Sequence, residues 1–346
     1  MATAEITVLG AGAFGLSCAY EALRRGARVR VIDPHGVGAG SSGGVVGALA
    51  PHTPERWNPK KEFQFQSLIA SRDFWPSVQE TGGVSSGYGR TGRVQAVMDA
   101  RQLDLARDRE IQAQALWRGA AVWRVVDRAH VGDWGPDSPT GFWIFDDLSA
   151  RLHPAQACAA LAAAVRVLGG EILREGETSG AVIHASGWQG LEALNAAFGR
   201  TVGGGVKGQA VLFDFDARDA PQVYAEQLHI IPHADGTTAI GSTSEREFAS
   251  PDTTDHQVEA LIERAMVAMP VLHGAREIQR WAGVRPRARS RAPMVGPWPE
   301  RAGHFIANGG FKIGFGMAPK VAQVLVDLIL EGRDAIPEDF RVEASL

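Results

Sequence analysis

The pattern of apolar and polar positions is most regular in the first 33 residues. An apolar run at 6–9 meets a glycine-rich turn, an amphipathic stretch extends to Arg25, and a second apolar run at 27–32 ends in Asp33. Short apolar runs bounded by turn residues predict buried strands, and the amphipathic stretch between them predicts a helix. The segment is therefore predicted as a strand, a helix and a second strand.

The turn between the first strand and the helix reads Gly-Ala-Gly-Ala-Phe-Gly over residues 10–15. Gly10 permits a tight turn, Gly12 allows backbone to approach a pyrophosphate, and Gly15 lets the helix pack on the strand. The helix N-terminus offers free N–H groups to phosphates, and Asp33 is placed to accept hydrogen bonds from an adenosine ribose. This pattern predicts dinucleotide binding, but it does not distinguish NAD from FAD.

A run of glycine, alanine and serine follows at 36–44, and small residues continue to Ala50. Such a run forms either a flexible linker or a backbone that passes very close to a ligand. A linker is a poor fit here, because a single βαβ unit cannot stand alone as a domain. We therefore expect the backbone of this run to lie close to a ligand, with Ser41 and Ser42 offering hydroxyl and N–H groups to phosphate.

The spacing of apolar residues changes twice in the rest of the chain. Helical periodicity and short apolar runs up to residue 184 predict a second α/β section, whereas alternation with period two over 203–269 predicts an antiparallel sheet. The predicted helices are 63–79, 103–115, one beginning at Pro154, 255–269 and 319–330, and the predicted strands include 92–99, 141–145, 171–174, 181–184, 238–242 and 305–308.

Composition limits the function classes. The chain has 346 residues, more than one typical domain, and a net charge of −4, which argues against a nucleic-acid or anionic-membrane partner. Its two cysteines suggest neither a metal site nor a disulfide framework. The sequence shows no secretory leader and no apolar run long enough to span a membrane, so we expect a cytoplasmic location.

Several separated motifs together resemble the FAD-dependent D-amino-acid oxidase superfamily, especially its glycine oxidase, sarcosine oxidase and D-amino acid dehydrogenase-like members. They are the N-terminal fingerprint, residues 40–51, 184–187, 206–209, 230–243, 281–286 and 309–314. The resemblance implies a two-domain α/β (α+β) fold. It implies a discontinuous Rossmann-like FAD-binding domain (1–80, 146–202 and 283–346) and an antiparallel-sheet substrate or cap domain (81–145 and 203–282).

The resemblance also implies which residues hold FAD. They lie at the fingerprint, along the pyrimidine edge of the flavin, near the ADP half and at the start of a late helix: Gly10, Gly12, Ala13, Phe14, Gly15, Asp33, Pro34, Ser41, Ser42, Gly47, Ala48, Leu49, Ala185, Ser186, Gly187, Gly310, Phe311, Lys312, Ile313 and Gly314. Many relatives attach FAD through a cysteine. Neither Cys18 nor Cys158 is expected near the flavin, so noncovalent FAD is predicted.

Four residues are predicted to form the substrate site. The family places an arginine at the Gly-x-Arg-Pro position to hold the substrate carboxylate, which here is Arg285, although arginines alternating to Arg291 are also typical of a solvated edge. We expect Arg285 to face inward and the later arginines to lie in a loop after Pro286. Lys312 matches a sarcosine oxidase lysine that reaches the carboxylate, or it is a structural lysine whose amine extends to solvent.

Two histidines complete the predicted substrate site. His229 stands where glycine oxidases carry a pocket tyrosine, and His52 follows Pro51 near the predicted flavin edge. A lone histidine on a strand is more often simply packed, so each has a structural alternative.

The resemblance implies oxidation of the C–N bond of a small amino acid such as glycine, sarcosine or a D-amino acid. Hydride transfer from Cα to flavin N5 gives an imine that hydrolyses to a 2-oxo acid and an amine or ammonia. Oxygen or quinone is the expected electron acceptor, and no metal is required. The alternatives are an NAD-dependent dehydrogenase with a continuous six-stranded N-terminal domain, a flavin-dependent tRNA-modification enzyme, and a noncatalytic module that keeps FAD as structure.

Overall fold

The computed structural model describes residues 4–346, and its strands are numbered here in chain order. They are β1 Glu5–Leu9, β2 Arg28–Ile32, β3 Ala48–Leu49, β4 Arg93–Ala96, β5 Trp123–Asp127, β6 Phe142–Asp146, β7 Ala150–Arg151, β8 Glu171–Leu173, β9 Ala181–His184, β10 Gly203–Asp214, β11 Gln222–Ala225, β12 Leu228–Pro232, β13 Thr238–Gly241, β14 Arg276–Ala288, β15 Met294–Pro297 and β16 His304–Asn308.

The helices alternate with these strands in the first half of the chain and are fewer in the second. They are α1 Ala13–Arg24, α2 Pro59–Gly82, α3 Ala100–Leu116, α4 Arg128–Val131, α5 Pro154–Val167, α6 Gly187–Phe198, α7 Gln257–Ala268 and α8 Gly314–Glu331. Pro154 occupies the first turn of α5, where its missing N–H leaves no hydrogen bond unmade. Asn58 caps α2 by accepting a hydrogen bond from the Lys61 N–H at 3.1 Å.

The first sheet has six strands in the order β15-β16-β9-β1-β2-β8. All neighbours pair in parallel except β15, which pairs antiparallel with β16. Helices α1, α2, α5 and α8 pack with this sheet around one large apolar core. The strands come from three separate stretches of chain, which contradicts the continuous six-stranded domain that the NAD-dependent alternative requires.

The second sheet has eight strands in the order β14-β10-β13-β12-β11-β4-β6-β5, and only β11 and β4 pair in parallel. One face carries apolar side chains from β10 to β13 and packs against α7. The register places Trp281, Ala210, Gly241 and His229 side by side on four neighbouring strands, and these residues point to the opposite face. Because Trp281 and Ala210 line the large cavity described below, this is the cavity face of the sheet.

The predicted fold class, a parallel α/β section combined with an antiparallel sheet, is confirmed. Two of the boundaries that differ from the prediction lie at the cavity. Helix α8 begins at Gly314 rather than 319, because a glycine-rich segment with weak helix propensity continues into the helix and Pro319 lies inside it. Strand β14 continues past Pro286 to Ala288, since it pairs with β10 over its whole length, so Arg287 lies in a strand and not in a loop.

Strand β5 and helix α6 were not predicted from the sequence. The division of the chain into the two domains stays a prediction, and its boundary at 282/283 falls inside β14.

Candidate active site

A cavity of about 790 Å³ extends from the first turn of α1 to the cavity face of the eight-stranded sheet. Its volume lies in the upper part of the ~300–1,000 Å³ range typical of small-molecule sites. Most of the residues predicted from the sequence line it: Gly10, Gly12, Ala13, Phe14, Asp33, Pro34, Ser41, Ser42, Gly47, Ala48, Ala185, Ser186, Gly187, Arg285, Gly310, Phe311, Lys312 and Gly314. The structure thus brings five distant segments of chain together around one space.

Five of the predicted residues do not line the cavity: Gly15, Leu49, Ile313, His52 and His229. Leu49 and Ile313 pack against the large apolar core instead. A Cβ built on Gly15 would overlap the carbonyl oxygen of Gly10, so Gly15 permits close packing of helix on strand. Leu49, Ile313 and Gly15 therefore pack behind the cavity wall and do not face the cavity.

The turn before α1 has the geometry that a pyrophosphate requires. Gly10 has a φ of 115°, a conformation that favours glycine, and a Cβ there would also overlap the Ala185 carbonyl oxygen. At Gly12 a Cβ would lie 3.0 Å from the Ser42 hydroxyl oxygen. A side chain at Gly10 would therefore displace backbone beside the cavity, and one at Gly12 would crowd the Ser42 hydroxyl group.

Asp33 and Ser42 hold this turn through backbone N–H groups. The Asp33 carboxylate accepts from the Ala11 N–H at 2.8 Å and from the His35 N–H at 2.9 Å. The Ser42 hydroxyl oxygen accepts from the Ala13 N–H at 3.0 Å and thereby caps the helix from outside it. The Ser42 hydroxyl hydrogen remains free to donate, as the prediction of a phosphate contact requires.

The other end of the cavity is walled by the small residues that precede β3. A Cβ on Gly47 would overlap the Leu152 carbonyl oxygen, and a Cβ on Gly44 would lie 3.2 Å from the Trp281 ring. Helix α8 begins at Gly314 on the same wall, and its N-cap residue Ile313 makes no side-chain cap. The positive end of the α8 dipole therefore faces the cavity, where it favours negative charge.

Arg285 is the most unusual charged residue of the cavity. It is 9% exposed, and burial lowers the pKa of its guanidinium to about 10. Nη2 donates to the Ser242 hydroxyl oxygen at 2.7 Å and Nη1 to the Thr243 carbonyl oxygen at 3.4 Å. Within residues 4–346 no carboxylate lies at ion-pair distance from it, so a buried cation faces the cavity without an anion.

Lys312 brings a second positive charge to the same wall. It lines the cavity just before α8, and its Nζ lies 5.8 Å from the centre of the Phe311 ring. Partial burial, together with the guanidinium groups of Arg285 and Arg287, lowers the pKa of Lys312. The Arg287 guanidinium also lies over the Phe311 ring, with its Cζ 5.4 Å from the ring centre.

His229 lies on the cavity face of the sheet but behind the cavity wall. Its ring centre is 4.9 Å from that of Tyr224, and its Nδ1 has no hydrogen-bond partner among the described residues. Burial, reinforced by the positive charges of Arg93, Lys312 and Arg285, lowers the pKa of His229 to about 3. The imidazole is therefore neutral at physiological pH.

His52 does not reach the cavity. The chain turns towards α2 after Pro51, and Gln64 of that helix accepts hydrogen bonds from the His52 backbone N–H and pairs with its ring nitrogen Nδ1. The side chain is exposed. The position of His52 therefore gives no support to the predicted pocket role.

Sequence reasoning left several cavity residues outside the predicted site, notably Trp281, Gly283, Trp188, Asn308 and Phe315. Trp281 and Gly283 precede Arg285 by four and two positions, so the period of a strand places all three on one face. The two-residue spacing that places Trp281 and Gly283 on the same face as Arg285 is visible in the sequence. Trp188 and Phe315 lie in the first turns of α6 and α8, whose starting points the sequence pattern did not reveal.

Two negative findings apply to the part of the chain that the structure describes. No cluster of three or more His, Cys, Asp or Glu side chains there is arranged to hold a metal ion. No helix over residues 4–346 has both the length and the apolar character needed to cross a membrane.

These features define a class: a dinucleotide-binding protein whose cavity ends at an unpaired buried arginine on an antiparallel sheet. The sequence model of the family described as FAD dependent oxidoreductase matches residues 5–328, and the chain belongs to this family. It is an oxidoreductase of the class that acts on the C–N bonds of amino acids and amines.

Three proteins illustrate the similarity. The glycine oxidase of Pseudomonas putida is 28% identical over 94% of this chain and 94% of its own length. The structure of the Geobacillus kaustophilus glycine oxidase superposes with a TM-score of 0.85 at 20% identity, covering 98% of this chain and 99% of that chain. The iminodiacetate oxidase from Chelativorans sp. BNC1 gives a TM-score of 0.80 at 20% identity over 97% and 98% of the two chains. The two structures show the same fold.

The cofactor is therefore FAD, and the cavity fits it. The glycine turn and the α1 N-terminus offer backbone N–H groups to a pyrophosphate, with Asp33 beside them for a ribose. Gly44 and Gly47 line the cavity without side chains, and a Cβ would crowd the Trp281 ring at the first position and overlap the Leu152 carbonyl oxygen at the second. The family to which the chain belongs and the assembly of the six-stranded sheet from three separate stretches both argue against the NAD-dependent alternative.

Proposed function

We propose that this protein oxidises the C–N bond of a small amino acid, namely glycine, sarcosine or a D-amino acid, and that Arg285 holds the substrate carboxylate. The observation that carries the proposal is the buried guanidinium of Arg285, which faces the cavity with no carboxylate of residues 4–346 at ion-pair distance. Glu245 acts on this charge only from beyond ion-pair distance. Burial of a cation without a directly paired anion is unfavourable, so a site of this kind is best explained by an anionic ligand. The glycine oxidase relatives support the substrate class.

The two protein acceptors of Arg285 leave part of its guanidinium unused. A guanidinium carries five N–H donors in a planar fork that matches a carboxylate in two parallel hydrogen bonds. Only the Ser242 and Thr243 oxygens accept from it in the structure as described. A substrate carboxylate bound to the remaining donors is fixed in orientation, and its Cα is fixed with it.

FAD, when bound, supplies the acceptor for the two electrons and the hydrogen that leave the Cα–H of the substrate. The protein contributes orientation, positive charge and exclusion of water. Arg285 binds the carboxylate, Lys312 and the α8 N-terminus add positive charge at the same wall, and Trp281 lines the space beside them. The oxidised product is an imine, which water hydrolyses to a 2-oxo acid and an amine or ammonia.

No side chain near Arg285 needs to act as an acid or a base in this scheme. His229 is neutral at physiological pH because its pKa is about 3. Loss of hydride from Cα requires the neutral amine, and a group with so low a pKa is too weak a base to take the proton of the ammonium form. We infer that this proton is lost to solvent before oxidation.

We also propose that FAD is bound without a covalent bond and by the discontinuous domain 1–80, 146–202 and 283–346. Cys18 and Cys158 are buried outside the cavity wall, and burial raises the pKa of each thiol to about 12. Thiols in this state are poor nucleophiles. The Cys158 thiol donates to the Ser42 carbonyl oxygen at 3.4 Å, behind the glycine and serine run.

Replacement of Arg285 by Met tests the proposal directly. The substitution removes charge-assisted hydrogen bonds, each worth about 1.5–3 kcal/mol, so we expect KM for the amino acid to rise roughly 10- to 100-fold or more. FAD content should remain that of the wild type. The matched control is Arg276→Met on the same strand, an exposed arginine paired with Asp214, which should leave KM unchanged.

An unchanged KM in the Arg285→Met variant, with full FAD content, would remove Arg285 from the substrate site. The acceptor is tested separately by admitting air to enzyme that substrate has decolourised anaerobically. Rapid return of the yellow colour favours oxygen as acceptor, whereas a slow return favours a quinone.

A further inference from the structure

The guanidinium of Arg285 rests on a glycine of the neighbouring strand. Gly208 of β10 lies opposite Gly283 of β14, and a Cβ built on Gly208 would overlap Nη1, Nη2 and Cζ of Arg285. Gly208 is not among the glycines with positive φ, so its backbone does not demand glycine. The space left by the missing side chain is therefore occupied by the guanidinium itself.

Two acceptors after β13 fix the guanidinium in that space. The Ser242 hydroxyl oxygen accepts from Nη2 at 2.7 Å, and the Thr243 carbonyl oxygen accepts from Nη1 at 3.4 Å. A planar group held on one face and at two nitrogens has little freedom to rotate. Gly208, Ser242 and Thr243 are called the arginine seat below.

A buried polar network holds the seat in turn. The Thr243 hydroxyl accepts from the Gln209 N–H at 2.8 Å and donates to the Glu245 carboxylate. Lys207 and Glu245 exchange two backbone hydrogen bonds of 2.9 Å. The Lys207 side chain is 3% exposed, and its Nζ lies 3.8 Å from a Glu245 carboxylate oxygen. The segment that carries Ser242 and Thr243 is thereby tied to β10, the strand that carries Gly208.

We propose that Gly208, Ser242 and Thr243 are positioning residues, which fix the Arg285 guanidinium in the orientation that receives the substrate carboxylate. The inference rests on the proposed function, because it assigns to the seat the preparation of the same carboxylate site. A free arginine side chain samples many rotamers, and loss of that freedom on binding weakens a complex. The seat removes most of that freedom before the substrate arrives.

Gly208→Ala is the sharpest variant. The added methyl group collides with the far end of a flexible side chain rather than with backbone, so the protein should fold while the guanidinium is displaced. Gly204→Ala is the matched control on the same strand, since a Cβ there meets no atom within 4 Å. Ser242→Ala removes one acceptor without adding volume.

The test is binding of sodium acetate to each holoenzyme, followed through the change in flavin absorbance and through the shift in melting temperature. Acetamide, a neutral molecule of the same shape, is the second probe. We expect Gly208→Ala to weaken acetate binding at least about tenfold and Ser242→Ala severalfold, because both disturb a charge-assisted pair. Acetamide binding should not change in either variant, and Gly204→Ala should match the wild type with both probes.

The Arg285→Met holoenzyme distinguishes the role of the arginine seat from the role of Arg285 itself. Loss of acetate binding in Arg285→Met together with wild-type binding in Gly208→Ala and Ser242→Ala would overturn the seat and leave the proposed function standing. Equal weakening of acetate and acetamide would also overturn the seat, since that result indicates a general distortion of the cavity. Wild-type acetate binding in Arg285→Met, or no acetate binding by the wild type, would contradict the carboxylate-holding role itself.

Discussion

Charge at single residues defines the substrate end of the cavity. Arg285 and Lys312 line the same space, and burial lowers the pKa of each. The shift of Arg285 leaves it charged at physiological pH, because its pKa stays near 10. His229 lies close to these cations, which help to keep its imidazole neutral. Positive charge is therefore concentrated on the arginine and the lysine.

Lys312→Met should raise KM for the amino acid by about three- to tenfold, less than Arg285→Met, because an ammonium group is a point charge without the planar fork of a guanidinium. Steady-state kinetics at saturating acceptor concentration measure the effect. Lys320→Met is the control, since Lys320 lies within α8 and bonds to Gln323 outside the cavity. Equal KM values in the two variants would show that Lys312 does not contact the substrate.

The pH dependence of kcat/KM should be the same in His229→Asn as in the wild type between pH 5 and pH 8. The reason is that a group with a pKa of about 3 does not change charge in this interval. The loss of an inflection in this range upon substitution would mean that His229 titrates during catalysis and would contradict its assignment as neutral.

At the scale of elements, the sequence predicted those parts of the site that follow from local spacing. The glycines at 10, 12 and 15 and Asp33 lie within one strand-helix-strand unit, so their roles follow from that unit alone. The arginine seat combines β10 with the residues after β13, and the arginine that it holds lies on β14, so the parts are far apart in the sequence. No local pattern specifies that the guanidinium of Arg285 lies on Gly208.

The start of α8 shows a second limit of local reasoning. Glycines at 309–316 predict a loop, because glycine disfavours helix, and Pro319 resembles a first-turn proline. The helix nevertheless begins at Gly314, and its apolar residues pack in the large core with α1 and α2. Tertiary packing thus overrides the local preference in this segment.

Gly47→Ala tests the element that walls the flavin end of the cavity. A methyl group there collides with the Leu152 carbonyl, so the pairing of β3 with β7 must shift. We expect a loss of about 1–3 kcal/mol in the free energy of unfolding, typical of overpacking. Urea unfolding of the apoprotein measures it.

Gly40→Ala, in the same glycine and serine run, is the control for this substitution because its Cβ meets no atom within 4 Å. Its apoprotein should unfold at the urea concentration of the wild type. If the Gly47→Ala apoprotein were as stable as this control, the cavity wall would accommodate the methyl group without a loss in the free energy of unfolding.

At the scale of the whole molecule, buried histidines couple stability to pH. Burial lowers the pKa of His184 to about 4, of His229 to about 3 and of His233 to about 4. The ordinary value of about 6.5 applies in the unfolded chain, which therefore binds more protons than the folded protein below that pH. The stabilisation is complete above pH 6.5 and declines as the pH falls towards 4.

The urea midpoint of unfolding should therefore be constant between pH 7 and pH 8 and decrease from pH 6.5 to pH 4.5. His184→Gln should show a shallower decrease than the wild type, since one of the lowered histidine pKa values is removed. A midpoint that stays constant or rises on acidification would contradict the assignment of these histidines as buried and neutral.

The role of Arg285 in amino-acid oxidation is tested most directly by an anaerobic absorbance titration of the yellow protein with glycine, sarcosine, D-alanine and D-proline, in the wild type and in Arg285→Met. We expect at least one of these amino acids to decolourise the wild type, and Arg285→Met to require a roughly 10- to 100-fold higher concentration of it. A wild-type protein that keeps its colour with all four, or a variant that responds at the wild-type concentration, would contradict this role.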